Sequence, residues 1–265
     1  MADHSMAQQR VLTSVVSLVA GCLWIAVWHF ILMSFGAKGV QLDVVFFDYD
    51  SELIPYPLTI QNLMWLIFFF GFGELYLRVA AVKREETTLR LHLLPEDETT
   101  LLRVKDLAEV YRRVKNSMGQ EETFLPQMII RIILQFQTSR AADQAHALLN
   151  SSLELHNHEI DLRYTMLRYV AWLIPTLGFL GTVVGIALAM NYVGSVNITD
   201  PNLLATATKK LAVAFNTTLV ALIQAAILVF IMNITQAREE RALNYAAQYC
   251  LDNLINRLFV KPEGE

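Results

Sequence analysis

Charge is scarce in this sequence. Aspartate, glutamate, lysine and arginine make up 17% of its 265 residues while 54% are hydrophobic, and the mean hydropathy is positive. That is too apolar for an ordinary soluble domain and describes a chain with several membrane spans. Cysteine is nearly missing: Cys22 and Cys250 fall in a span and in the terminal tail, which suggests neither a disulfide framework nor a zinc site. The formal net charge is −4 and no basic, aromatic-interleaved patch occurs, so no nucleic-acid partner is expected. G-x-S-x-G, H-E-x-x-H, a Walker loop and C-x-x-C are all absent, which argues against an enzyme. His156 and His158 stand two apart, so on a helix they point to different faces and do not make a metal pair.

What is present is a set of long apolar runs, and an all-α membrane protein of four spans follows from them. Residues 1–10 are a short cytoplasmic leader, 11–35 the first transmembrane helix and 36–57 a periplasmic loop. Within that loop, residues 41–47 read equally as a short strand or an interfacial segment. The second span is 58–81, dense in phenylalanine, with Glu74 and Arg78 one turn apart as a snorkelling salt bridge near its end. Residues 82–168 form a polar cytoplasmic helical region. There Pro95 with the acidic residues after it predicts a helix start, Gly119 its end, and a second helix from near Glu121 with no strong breaker before Pro175. The third span is 169–193, a periplasmic loop 194–202, the fourth span 203–235 and a cytoplasmic tail 236–265, with long helices extending from the membrane.

Lysine and arginine set the orientation. They crowd 82–168 and follow the fourth span, whereas the loop at 36–57 has only Lys38 and the loop at 194–202 has none. The positive-inside rule then places both termini and the middle region in the cytoplasm. Lys209 and Lys210 depart from this pattern in the first turns of the fourth helix, where they either snorkel outward or line an outer mouth.

The third and fourth spans have an unusual surface. Gly178, Gly181, Thr182, Gly185 and Ala189 recur at three and four, and Ala214, Thr217 or Thr218, Ala221 and Ala225 do the same downstream. Such faces let backbones approach closely, and hydroxyls at membrane depth (Thr176, Thr182) want a partner, water or a hydrated ion. Yet neither span holds any Asp, Glu or His. If the chain helps conduct ions, another chain must supply the titrating carboxylate.

Phe179-Leu180-Gly181-Thr182-Val183-Val184-Gly185-Ile186, followed by Ala214-Phe215-Asn216-Thr217-Thr218-Leu219, resembles the MotA/TolQ/ExbB proton-channel family of ion-driven stator and motor subunits. The resemblance covers roughly residues 165–235. It implies a homopentamer of this multi-span chain in the bacterial inner membrane, surrounding a dimer of a single-span partner that carries an essential aspartate. It further implies an ion-driven, proton motive force–coupled machine with no cofactor beyond the translocated H+ or Na+, protons being the commoner case. On the family's motif Thr182 and Thr217 fall on the two pore threonines, with Thr176, Thr218, Gly178, Gly181, Gly185, Ala214 and Ala221 along the ion path or against the partner. Where the ExbB-like branch has a glutamate before the second threonine, this chain has Ala212. A layout of four spans with a long second cytoplasmic connection is similar to the flagellar-stator branch, whereas the GTV motif is nearer TolQ and ExbB. The alternative is a non-conducting oligomeric membrane scaffold or sensor; a solute transporter is disfavoured because no inverted repeat is evident.

Overall fold

The computed structural model describes residues 2–35, 59–97, 101–117 and 123–259. Six helices account for nearly all of them: α1 Ala2–Phe35, α2 Ile60–Leu89, α3 Val104–Ser117, α4 Phe124–Ser139, α5 Ala142–Ser195 and α6 Leu203–Asn253, with a 3-10 turn at Ile255–Arg257. Among the described residues the only β pairing is one isolated bridge, Leu102 with Leu258. Helices α1, α2, α5 and α6 are each long and apolar enough to cross a membrane. The protein is an all-α membrane protein.

The chain divides into two compact units, one of Ala7–Leu77 with Met166–Met232, the other of Arg78–Thr165 with Asn233–Glu265 and Met1–Met6. In the first, α1 lies on α2 through small residues and aromatics. A Cβ on Gly73 would stand 2.6 Å from Ser17 Oγ, and Trp24 packs on Trp65 at 5.6 Å between ring centroids. Glu74 takes an ion pair from Arg10 of α1 at 3.4 Å.

In the second unit, α3 is amphipathic and packs on α4, its buried Leu107, Val110 and Val114 falling three and four apart. Helix α4 buries Phe124, Leu125, Pro126, Met128, Ile129, Ile132, Ile133 and Phe136, half of its 16 residues. Its first turn is held from outside: Phe124 N–H donates to Glu85 Oε2 at 3.0 Å, while the N-cap residue Thr123 makes no side-chain cap bond.

Two sequence expectations are corrected here. Pro95 starts no helix, because α3 begins at Val104, where Arg103 N–H donates to Asp106 Oδ2 at 2.9 Å. The carbonyls of Pro95, Glu96 and Asp97 instead accept from the Arg257 guanidinium. The helix at 124 does not run on into the third span, since α4 stops at Ser139 with Arg140 in the left-handed region (φ 56°) and α5 starts at Ala142. At the N-terminal end α1 already runs from Ala2, so the leader continues the first helix. The tail likewise is α6 continued to Asn253. The expected strand or interfacial segment at 41–47 and the helix stop at Gly119 lie outside the described residues.

Candidate functional site

Helices α5 and α6 meet through their small faces. A Cβ on Gly185 would fall 2.5 Å from Ala214 Cβ, and one on Gly181 would fall 2.7 Å from Thr217 Oγ1; one on Gly178 would overlap Ala221. Only glycine at these three positions allows the approach. Ala214, Thr217 and Ala221 are accordingly buried within the single chain, at 1%, 4% and 0% exposure. The small surfaces singled out in the sequence therefore close on each other.

A cluster of hydroxyls sits in this seam. Thr218 Oγ1 donates to the Gly178 carbonyl at 2.9 Å, Thr217 Oγ1 to Ala214 O at 2.7 Å, and Thr182 Oγ1 lies 3.0 Å from Ala214 O and in hydrogen-bond contact with Thr218 Oγ1. Each hydroxyl has one proton, so Thr182 gives its proton to one of Ala214 O, Thr218 Oγ1 and, at 3.3 Å, Gly178 O at a given moment. More than one arrangement is thus available to the same atoms, and a hydroxyl that alternates between them can reorient without leaving the seam. Thr182 and Thr218 remain half-buried at its edge, whereas Thr217 is inside it.

Thr176 stands apart. It is exposed on α5, and its hydroxyl folds back onto the Trp172 carbonyl at 2.9 Å, the usual resort of a threonine with no outside partner in a helix. Leu180 and Val183 continue its face, both about half exposed. At the other end of α6, Lys210 holds its ammonium 5.4 Å from the Tyr192 ring centroid on α5. Lys209 is exposed beside it.

A second polar group, outside the spans expected at 58–81, 169–193 and 203–235, had no signal in the sequence because its members are far apart along the chain. Glu85, Arg163 and Glu239 meet in the unit of α3 and α4, with Arg163 Nη1 donating to Glu239 Oε1 at 3.3 Å. Burial pushes the Glu85 carboxyl up to about 7; Glu239 adds to the rise, while the Phe124 N–H and Arg163 oppose it. Burial likewise drives the Tyr164 phenol well above its ordinary range, with neighbouring Glu239 reinforcing it. His156 and His158 part as the spacing requires, His156 buried with Nδ1 3.2 Å from Glu159 and His158 exposed.

Comparison with known proteins adds one finding. The family model described as the MotA/TolQ/ExbB proton channel family matches residues 117–248, from the end of α3 through most of α6. No curated protein and no solved structure matches the chain.

Proposed function

The chain belongs to the MotA/TolQ/ExbB proton channel family, and from that premise we propose that it is the multi-span subunit of an ion-driven motor complex in a bacterial inner membrane. In this reading five copies surround two helices of a single-span partner, and the partner brings the carboxylate that α5 and α6 lack within their spans. Protons are the coupled ion and both termini face the cytoplasm. The chain itself catalyses no covalent chemistry and needs no cofactor.

The observation that carries the reading is the half-buried hydroxyl pair Thr182–Thr218 at the edge of a seam built mostly of glycine and alanine. A carboxylate desolvated beside glycine and alanine surfaces has a raised pKa and takes a proton readily. A hydroxyl that can donate or accept then serves both its charged and its neutral form. Division of labour follows from exposure. Gly178, Gly181, Gly185, Ala214, Thr217 and Ala221 fix the α5–α6 distance, and Thr176, Thr182 and Thr218 offer oxygen to the ion or the partner. Lys209 and Lys210 mark the outer end of the path.

One observation favours the scaffold alternative, namely that every threonine of the cluster already has a partner inside its own chain. Two measurements separate the readings. Purified from native membranes, the complex is expected to show a companion polypeptide on its axis, with five copies of this chain around it. Lipid alone on that axis would sink the motor reading. In vesicles holding the intact complex, Thr182→Val with Thr218→Val is expected to lower proton flux at least tenfold without loss of assembly, and undiminished flux would favour the scaffold.

A further inference from the structure

Gln224 is a buried polar side chain of the fourth span that lies outside the hydroxyl cluster. It is 2% exposed, and neither its Nε2 nor its Oε1 has a hydrogen-bond partner among the described residues. Because the burial is within a single chain, no neighbouring subunit or partner helix reaches it. In hydrocarbon surroundings a carboxamide with both a donor and an acceptor unmet is strongly disfavoured, and alanine or leucine would fill the position without that penalty.

The register of the two helices shows what lies opposite. Going toward the cytoplasmic half, Gly185 faces Ala214, Gly181 faces Thr217 and Gly178 faces Ala221. Lower down, Val170 and Leu228 come to one level, because a Cβ on Gly71 of α2 would meet both, at 3.0 and 3.2 Å. Gln224 falls midway between these levels, and the residue midway on α5 is at the Ile174–Pro175 step.

Pro175 lies inside α5 without ending it. Having no N–H, it leaves the carbonyl of Ala171 without its in-helix donor, and a helical carbonyl points toward the C-terminal end, so that oxygen is aimed at the level of Pro175. An acceptor without its donor and a carboxamide without partners are thus brought to the same height in a buried seam. Ala171, Ala221 and Ala225, each within about one turn of that step on its own helix, are small and buried.

We infer that Gln224 and the Ala171 carbonyl together hold a buried water inside each copy of the chain, about two turns to the cytoplasmic side of the threonine cluster. Water fits better than a metal cation, because the Gln224 Nε2 group is a donor and the Ala171 carbonyl an acceptor, and water answers both. Such a water accepts from Gln224 Nε2 and donates to Ala171 O, repairing the break that proline makes in the helix. The inference concerns the interior of one chain, so it stands or falls separately from ion conduction.

The test is a cryo-EM map of the full-length protein in lipid nanodiscs, at a resolution that shows ordered water. A density within hydrogen-bonding distance of both Gln224 and Ala171 O is expected, and it should be lost in Gln224→Leu. Gln224→Met, unbranched like glutamine, repeats the test with less change of shape should the leucine variant misfold. A wild-type map in which the carboxamide bonds directly to a protein group, with no density between, overturns the inference. So does a density that persists in both variants, or one ringed by oxygens alone at metal-ligand distances.

Discussion

Gly181 illustrates how a single hydrogen atom sets the α5–α6 distance. Gly181→Ala would place a methyl 2.7 Å from Thr217 Oγ1 and 2.9 Å from its Cβ, on a buried threonine whose own hydroxyl is tied to the Ala214 carbonyl and so has little freedom to yield. Overpacking of this kind costs about 1–3 kcal/mol. We expect a lower midpoint in thermal unfolding of the detergent-solubilised protein followed by circular dichroism. Gly194, in the last turn of the same helix, has nothing within 4 Å of the point where a Cβ would stand, so Gly194→Ala should leave that midpoint unchanged or raise it slightly. A rise for both variants would mean that helix propensity, not the seam, governs the result. The glycines and threonines of this seam were legible in the sequence because close helix packing has a spacing signature. Their partners were not, since spacing identifies a face without saying what covers it. Here each face covers the other.

At the scale of the element, α4 is the instructive case. Its N-terminus borrows a carboxylate from α2, Glu85, and its C-terminus closes on a non-glycine residue in the left-handed region, Arg140. Neither device leaves a local pattern. A sequence reader waits for Ser, Thr, Asp or Asn at one end and Gly at the other, and finding no breaker extends the helix into the membrane. The borrowed cap has a pH consequence. Folding raises the Glu85 carboxyl from its ordinary value near 4.5 to about 7, so the folded state holds its proton over a range in which the unfolded chain has lost it. Stability from this group is therefore greatest below about 4.5, declines as pH rises toward about 7, and is level above that. The full difference is on the order of 3 kcal/mol. Glu85→Gln keeps an acceptor for the Phe124 N–H and cannot ionise, so its unfolding midpoint should depend less on pH than the wild type's between 5 and 8. Equal slopes for the two proteins would show that Glu85 does not titrate in this window.

The segment after α2 depends on the far end of the chain in the same way. Arg257 donates to the carbonyls of Pro95, Glu96 and Asp97, while Leu102 N–H donates to Arg257 O at 2.8 Å and Phe259 N–H to Leu102 O at 3.0 Å. An ammonium in place of the planar guanidinium cannot reach several carbonyls in a row. Arg257→Lys should speed backbone amide exchange at Leu102 and Phe259, read by hydrogen–deuterium exchange mass spectrometry, with exchange in α4 unchanged as the internal standard. No change at those two amides would mean that the bridge of Leu102 with Leu258 holds the segment without the arginine.

For the molecule as a whole, what the sequence conveyed best was the number of apolar helices, because crossing hydrocarbon requires long uninterrupted runs and nothing else in a chain of this length imitates them. The four runs expected are the four helices found. Sidedness rests on a separate argument, the crowding of lysine and arginine at 82–168 and after the fourth span against their scarcity in the two loops. It is tested by thiol labelling in whole cells with a membrane-impermeant maleimide. The native thiols interfere little: Cys22 is removed by Cys22→Ser, and Cys250 is fully buried, its pKa driven well up by that burial, so little reactive thiolate forms. On that background Asn197→Cys, in the turn between α5 and α6, should label in intact cells, whereas Gln248→Cys, exposed on the last turns of α6, should label only after the cells are opened. The reverse pattern would invert the topology and put the acid-rich loop at 36–57 on the cytoplasmic side. It would also turn Lys209 and Lys210 inward and move the proposed water at Gln224 to the outer half of the membrane.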